Sequence, residues 1–327
     1  MIVVTGGAGF IGSNLVAGLA ADGRRPIAVV DRLGTDQKWR NLARQELAAM
    51  VPPEGLDALL ARHAGRIATI VHLGAISSTT ERDADLIVAT NFSLSQRLWD
   101  WCVAHKVRFL YASSAATYGD GRDGFDDDGA PEALARLCPL NAYGWSKHLF
   151  DRWVARVVTD GGPCPPQWAG LKFFNVYGPN EGHKAGMKSV IAQIAPRAAA
   201  GAPARLFRSH HPGYPDGGQL RDFIHVDDCV RVILWLLDHP SVSGLFNLGT
   251  GRARTFLDLA HAVFAAIGQP PAIEFVDTPE DIRAKYQYRT EARMERLRAA
   301  GYPGPFTSLE DGVARYVRDL LAGDDAP

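Results

Sequence analysis

The run Ile2 to Gly12, IVVTGGAGFIG, constrains the fold more than any other stretch of the chain. Ile2, Val3, Val4 and Thr5 are apolar or β-branched and read as a short buried strand. The glycines Gly6, Gly7, Gly9 and Gly12 then let the backbone turn tightly, approach a pyrophosphate closely and pack a new helix on its strand. Free N–H groups at the helix start face the anion. Glycine-rich turns are common, so context carries the reading. This one opens an amphipathic helix with Phe10, Ile11, Leu15, Val16 and Leu19 on one side, and a second strand, Pro26 to Val30, follows and ends in Asp31. An acidic residue about 20 positions past the glycines completes a dinucleotide-binding pattern.

Strand and helix patterns alternate through the first half. Ile67 to Leu73 and Arg108 to Ala112 are apolar runs of the kind buried in parallel sheets, with a long helix, Leu86 to His105, between them. The pattern predicts an α/β chain with a Rossmann-type doubly wound parallel sheet. Gln45 to Val51 fits a third strand or a helix, and Asp57 to His63 reads as helical. A helix around Tyr143 to Val158, a Gly/Pro-rich break and a strand, Gly170 to Asn175, come next. From Val176 to Gln219 the chain fills with glycine, proline, histidine and lysine around one helix, Lys188 to Ala200, a composition that suits a cover over a ligand. Leu245 to Leu248 reads as a return to the sheet, and Phe256 to Ile267 and Leu309 to Leu321 as amphipathic helices. The expected division is a dinucleotide-binding domain of residues 1–175, rejoined by 222–250, and a smaller, discontinuous α/β substrate lobe of 176–221 and 251–321. Residues 322–327 read as a flexible tail.

At 327 residues the chain can bury a large core. A net charge of −1 gives no field for a polyanion, which argues against nucleic acid as a partner. Cys102, Cys138, Cys164 and Cys229 have neither zinc nor disulfide spacing. No uncharged apolar run approaches the roughly 18 residues of a membrane span, and no basic segment precedes an apolar one near Met1. These features point to a cytoplasmic protein with no membrane partner.

Two groups of residues suit proton transfer. The strand ending at Ala112 delivers Ser113 and Ser114 to its C-terminal end, where doubly wound sheets place ligands. In NAYGWSK, Tyr143 and Lys147 stand one helical turn apart and share a face. A lysine cation and an oxidised nicotinamide beside the phenol would bring it down towards working pH. Most such Tyr/Lys pairs are a surface tyrosine with a solvated lysine; the glycine turn and the serines favour chemistry here.

With TGGAGFIG (Thr5 to Gly12), HLGA (His72 to Ala75), Asn91, SSAATYG (Ser113 to Gly119), Tyr143 with Lys147, FFNVYGP (Phe173 to Pro179) and RDFIHVDD (Arg221 to Asp228), the chain resembles the extended short-chain dehydrogenases/reductases. The resemblance implies that Ser114 and Tyr143 hydrogen-bond the reacting hydroxyl, that Tyr143 is the acid/base, and that Lys147 holds the nicotinamide ribose. Sugar dehydratases of that family carry an acidic pair just after the catalytic serine or threonine. Ala115 and Ala116 stand there, so elimination lacks its acid and base.

SSTTERDAD (Ser77 to Asp85), NEGHKAGMKS (Asn180 to Ser189) and KYQYRT (Lys285 to Thr290) are similar to the bacterial ADP-heptose 6-epimerases of lipopolysaccharide core synthesis. An enzyme that delivers hydride to both faces of one ketone benefits from acid/base groups on two sides, and the resemblance gives Tyr143 one side and Lys184 the other. A phosphate-binding or solvated role for Lys184 is the alternative. The resemblance further implies cofactor contacts at Gly6, Gly9, Phe10, Ile11, Gly12, Asp31, Arg32, Lys38, Leu73, Gly74, Ala75, Ser77, Asn91, Lys147 and Val176. It implies ADP-heptose contacts at Ser78, Asn175, Lys184, Phe207, Arg208, Ser209, Arg221 and Tyr286. The Arg221 fork would grip a diphosphate in two bonds, unless it is spent on Asp222. Asp31 suits NAD, whereas Arg32 and Lys38 supply cations for a 2′-phosphate; the resemblance favours NADP and a homo-oligomer, with a pentamer among the states it allows. Two departures stand out: Val51, Pro52 and Pro53 replace a second lysine, and the loop Ser209 to Gln219 is long. A UDP-hexose 4-epimerase would share Ser114, Tyr143 and Lys147 without needing Lys184, and a non-catalytic cofactor sensor would not need the tyrosine and lysine. His210 and His211 have no third metal ligand at suitable spacing, so no metal is expected.

Overall fold

The computed structural model describes residues 1–35, 37–283 and 286–323. Part of the expected tail, residues 324–327, and Lys285 of the KYQYRT run lie outside the described residues. The chain begins with β1 (Ile2–Thr5), α1 (Phe10–Ala21), β2 (Ile27–Val30), β3 (Ala49–Val51), α2 (Leu56–His63) and β4 (Thr69–His72). Next come α3 (Ala84–Ile87), a π-helical turn (Val88–Ser93), α4 (Leu94–His105), β5 (Arg108–Ser114), α5 (Pro131–Ala135), α6 (Ala142–Thr159), β6 (Trp168–Phe173) and β7 (Asn175–Tyr177). The remainder is α7 (Val190–Ala199), β8 (Ala204–Phe207), β9 (Leu220–His225), α8 (Val226–Asp238), β10 (Gly244–Leu248), β11 (Ala253–Thr255), α9 (Phe256–Ala266), β12 (Ile273–Val276), α10 (Glu280–Arg283), α11 (Glu295–Ala299) and α12 (Leu309–Ala322).

Seven parallel strands form the main sheet in the order β10-β6-β5-β4-β1-β2-β3, the doubly wound arrangement read from the sequence. The order reverses between β1 and β4. Ligands settle at such a switch point because the connections leave in opposite directions and open a crevice. The strands are apolar on both faces, and helices cover both, so Val4, Val71, Leu110 and Leu171 are fully buried.

The ambiguous run Gln45 to Val51 resolves as β3, at the sheet edge. The single strand expected over Gly170 to Asn175 is in fact two. The main sheet ends at Phe173, and after Phe174 the chain enters β7, which pairs with β9 in a three-stranded sheet completed by β11. A two-stranded sheet, β12 with β8, adjoins it. Between these small sheets and α7, α9 and α12 lies a second apolar core that includes Ile191, Phe223, Val263 and Tyr316. Helix α8 packs on α1, against the main sheet's core. Within residues 251–321 the packing divides: Ala292, Met294, Leu297 and Tyr302 join the main core, whereas α9 and α12 belong to the smaller one.

Candidate functional site

The glycine turn stands at the switch point. Gly6 has φ +68°, and a Cβ there would lie 2.6 Å from the Gly74 nitrogen. A Cβ on Gly12 would lie 2.0 Å from the Gly6 oxygen. Side chains at either position would fill the cradle. Helix α1 starts at Gly9 with no side-chain cap and no acid in its first turn, which leaves its N–H groups for an anion. This donor set fits the phosphates of a dinucleotide.

From this turn a groove of about 520 Å³ runs across the ends of the parallel strands. It brings together Gly6, Gly9, Phe10, Ile11, Gly12, Asp31, Lys38, Leu73, Gly74, Ala75, Ser77, Lys147 and Val176 from the expected cofactor contacts. Ser114, Tyr143, Lys184 and Asn175 also line it. At one end Asp31 accepts from the Ala8 N–H at 2.9 Å and from Lys38 Nζ at 2.7 Å. The lysine therefore offsets the aspartate charge that would repel a further phosphate.

Two expected cofactor residues lie off the groove's wall. Arg32 turns to the surface and pairs with Glu54. Asn91 is fully buried in the π-helical turn, where it accepts from the Ile76 N–H at 2.8 Å and donates to the Ile76 carbonyl at 2.9 Å and to Ser146 Oγ at 3.0 Å. It acts on the groove through the loop Leu73 to Ser77. His72 is sealed between Thr5 and Ser95, and burial pushes it down to about 3, so it is a neutral tie between strands.

Tyr143 and Lys147 face the same groove from α6, and Ser114 from the end of β5. The Ser114 side chain lies near enough to the Tyr143 phenol to favour its phenolate form. The Tyr/Lys spacing predicts a phenol of lowered pKa. That expectation includes an oxidised nicotinamide beside the phenol; from the protein's own groups, burial raises the phenol and Asp151 adds to the rise, against the Ser114 side chain. Burial also lowers Lys147 to about 8, with Asp151 working the other way.

Lys184 lines the same groove from the short 3-10 turn Gly182–Met187, with Nζ 5.0 Å from the centre of the Phe10 ring. Burial lowers its pKa, and Glu181 opposes. The turn is pinned from several directions. Asn180 donates to Ser13, buried Glu181 accepts from Tyr316 and Ser189, and Asn41 Nδ2 reaches His183 Nδ1 at 3.3 Å and donates to the Ala8 carbonyl at 3.0 Å.

The expected substrate residues divide. Arg221 and Tyr286 line a second cavity of about 490 Å³ with Thr79, Arg82, Asn141 and Gln287. The Arg221 guanidinium lies 5.3 Å from the Tyr286 ring centre and 5.6 Å from that of Phe256. Asp222 is occupied elsewhere, accepting from the N–H groups of Thr250, Gly251 and Ala292. Phe207 lines a third cavity while touching Tyr286 edge to face. Ser78 hydrogen-bonds to Thr80, Arg208 reaches Asp277 at 3.8 Å, and Ser209 shapes its own loop by bonding Asp216 and His211; the three lie outside these cavities. Ser113, placed at the strand end by the sequence without a role of its own, also lines the groove, and sequence reasoning missed Phe173, Met187 and Lys188 on its wall. No cluster of three metal-ligating side chains occurs among the described residues, and no helix among them is long and apolar enough to cross a membrane.

A sequence profile of the NAD dependent epimerase/dehydratase family matches residues 2–249. An ADP-L-glycero-D-manno-heptose-6-epimerase of Nitratidesulfovibrio vulgaris (strain DP4) is 51% identical over 329 aligned residues, covering 99% of both chains. That of Fusobacterium nucleatum is 41% identical, covering 100% of this chain and 99% of its own. Among solved structures, the Helicobacter pylori ADP-L-glycero-D-manno-heptose-6-epimerase superposes with a TM-score of 0.78 at 26% identity, over 98% of this chain and 96% of the other. The Thermus thermophilus UDP-glucose 4-epimerase, solved with NAD, gives 0.77 at 26% identity over 98% of each. Fold similarity thus leaves the two epimerase types level, and sequence separates them. With a glycine cradle at the switch point, Ser114, Tyr143 and Lys147 at its far end, and full-length relatives at this identity, the chain belongs to the NAD dependent epimerase/dehydratase family and, within it, to the ADP-L-glycero-D-manno-heptose-6-epimerases.

Proposed function

We propose that the protein inverts C6 of the heptose in ADP-D-glycero-D-manno-heptose to give the L-glycero epimer, with NADP as the bound cofactor. The observation that supports this reading is that one groove is lined by two side chains able to carry a proton from separate elements, Tyr143 on α6 and Lys184 in the turn Gly182–Met187. When bound, the cofactor supplies a hydride acceptor that afterwards donates the same hydride. One of the two side chains would take the C6 hydroxyl proton as that carbon is oxidised to the ketone. Reduction of the ketone from its other face, after the sugar has turned in the groove, would need a proton donor on that side, and the second side chain would restore the hydroxyl there. Ser114 orients the oxygen through its contact with Tyr143, and Lys147 supports the site from one turn further along α6. Arg221, buried between two aromatic rings, is suited to the diphosphate. The Lys38 ammonium at Asp31 favours NADP over NAD.

The test is to incubate the purified protein with ADP-D-glycero-D-manno-heptose in heavy water and follow the product by proton NMR. The L-glycero epimer should form with no deuterium at C5 or C7. Deuterium at either position would overturn direct oxidation at C6, and absence of conversion with cofactor bound would overturn the heptose assignment. Lys184→Ala separates this reading from a UDP-hexose 4-epimerase, because unchanged turnover would favour the latter.

A further inference from the structure

Behind the groove lies a buried ion pair that the chemistry above does not use. Lys172 on β6 and Asp151 on α6 are both fully shielded, with Nζ 3.0 Å from Oδ2. In the parallel register Lys172 stands beside Ser113, so Tyr111, Ser113 and Lys172 share the sheet face that α6 covers. Asp151 stands one turn beyond Lys147 and two beyond Tyr143 on that helix. It accepts from Ser113 Oγ at 2.6 Å and from Tyr111 Oη at 3.1 Å. Gly170 makes room for that tyrosine, since a Cβ there would lie 2.4 Å from its hydroxyl. Lys172 donates at 2.6 Å to Thr117 Oγ1, which itself donates to the Ser114 carbonyl at 2.8 Å. The pair thus reaches the strand end by two routes, through the Ser113 side chain and through the Ser114 backbone.

A buried ion pair is a poor means of stabilising a fold. Desolvating both charges costs about as much as their attraction returns, and apolar residues of similar volume often serve as well or better. What a fully hydrogen-bonded network supplies is fixed geometry. We propose that Lys172, Asp151 and Thr117 are positioning residues for catalysis: they lock the Ser113–Ser114 strand end against α6, so that the Ser114 hydroxyl meets the Tyr143 phenol where the sugar hydroxyl arrives. This rests on the catalytic reading of Ser114 and Tyr143. None of the three lines the groove, so their effect should fall on turnover and spare binding.

The test uses holoenzyme with ADP-D-glycero-D-manno-heptose. Thr117→Val is nearly isosteric and removes both the Lys172 acceptor and the donor to Ser114. It should lower kcat by roughly tenfold or more while KM and cofactor affinity stay within about threefold, because small misplacements of reacting groups act on the chemical step. Thr117→Ser should restore kcat. In parallel, Lys172→Met and Asp151→Asn should each lower Tm by leaving one buried charge unpaired, whereas the double variant should recover most of that Tm and still turn over slowly. A Thr117→Val enzyme with full kcat, or a double variant with recovered Tm and full kcat, would overturn the proposal. Ser114→Ala distinguishes the two levels: if it loses turnover while Thr117→Val does not, the positioning claim alone fails, and if it keeps turnover the catalytic reading falls and takes the positioning claim with it.

Discussion

Lys147 bears the conflict between stability and chemistry most directly, because it is buried with its pKa down at about 8. Below that pH the folded chain carries a desolvated cation, so replacing Lys147 with methionine should raise Tm at pH 7 while abolishing turnover. The sign follows from linkage. Between pH 8 and the ordinary lysine value of 10.5 the unfolded chain binds the proton and the folded chain does not, so the native enzyme gains stability on the variant as pH rises. Thermal melts of both proteins at pH 7 and pH 9.5 should show the gap narrowing, and a constant gap would refute the account. Tyr143→Phe should cost turnover by about 10²- to 10⁴-fold in the same NMR assay. The groove's polar residues were mostly legible in sequence because their spacing is local: one helical turn for Tyr143 and Lys147, one strand end for Ser114. Asp151 and Lys172 went unread although both left a trace, a carboxylate one turn past Lys147 and a lone cation in the apolar run GLKFF. Their meaning depends on a strand-to-helix contact that no local pattern contains. The raised Tyr143 phenol was likewise out of reach, since burial is a property of the folded chain.

Between β4 and β5 the chain makes one bent helical path, α3, a π-helical turn and α4, where periodicity predicts a single helix. The π turn spans only six residues, too short a stretch for its altered period to be read from one sequence, yet the turn aims Asn91 at the loop that walls the groove. Asn91→Ala removes both bonds to Ile76 and should cost about 1–3 kcal/mol of stability while weakening cofactor binding more than substrate binding. Denaturant melts and cofactor titration calorimetry would check this; equal weakening of both ligands would contradict it. The break between β6 and β7 was unreadable for a related reason: the apolar run continues through Phe174, and only pairing decides which sheet each half joins. Helix α12 offers a further test. Gly312 faces Tyr177 so closely that a Cβ would lie 2.0 Å from its hydroxyl, so Gly312→Ala should destabilise by roughly 1–3 kcal/mol, despite the better helix propensity of alanine.

On the scale of the whole molecule, the doubly wound sheet was legible because alternation of buried strands and amphipathic helices admits few topologies. The smaller sheets were not, because β7, β8, β11 and β12 are only three or four residues long and pair across long sequence distances. Cofactor selection also belongs here, since β2, the turn Gln37–Leu42 and the edge strand meet around Asp31. Lys38→Ala should shift the ratio of NADP to NAD affinity by roughly tenfold towards NAD, and Glu54→Ala, which releases Arg32 from its surface pair, should shift it the other way. Competitive titration with both cofactors reads either change. Finally, the distribution of anchors over two cavities imposes a division of labour. Arg221 and Tyr286 stand in one, Tyr143 and Lys184 in the other. On the proposed function, the reacting end of the sugar must swing through the groove between two hydride transfers while the molecule never departs. Tight sugar contacts would freeze that swing, so the nucleotide end has to act as a tether and the heptose end has to run on slack. Product ADP-sugar and bare ADP should then compete for the enzyme almost equally, and a rigid analogue gripped at the sugar would be a poorer guest than its extra contacts suggest.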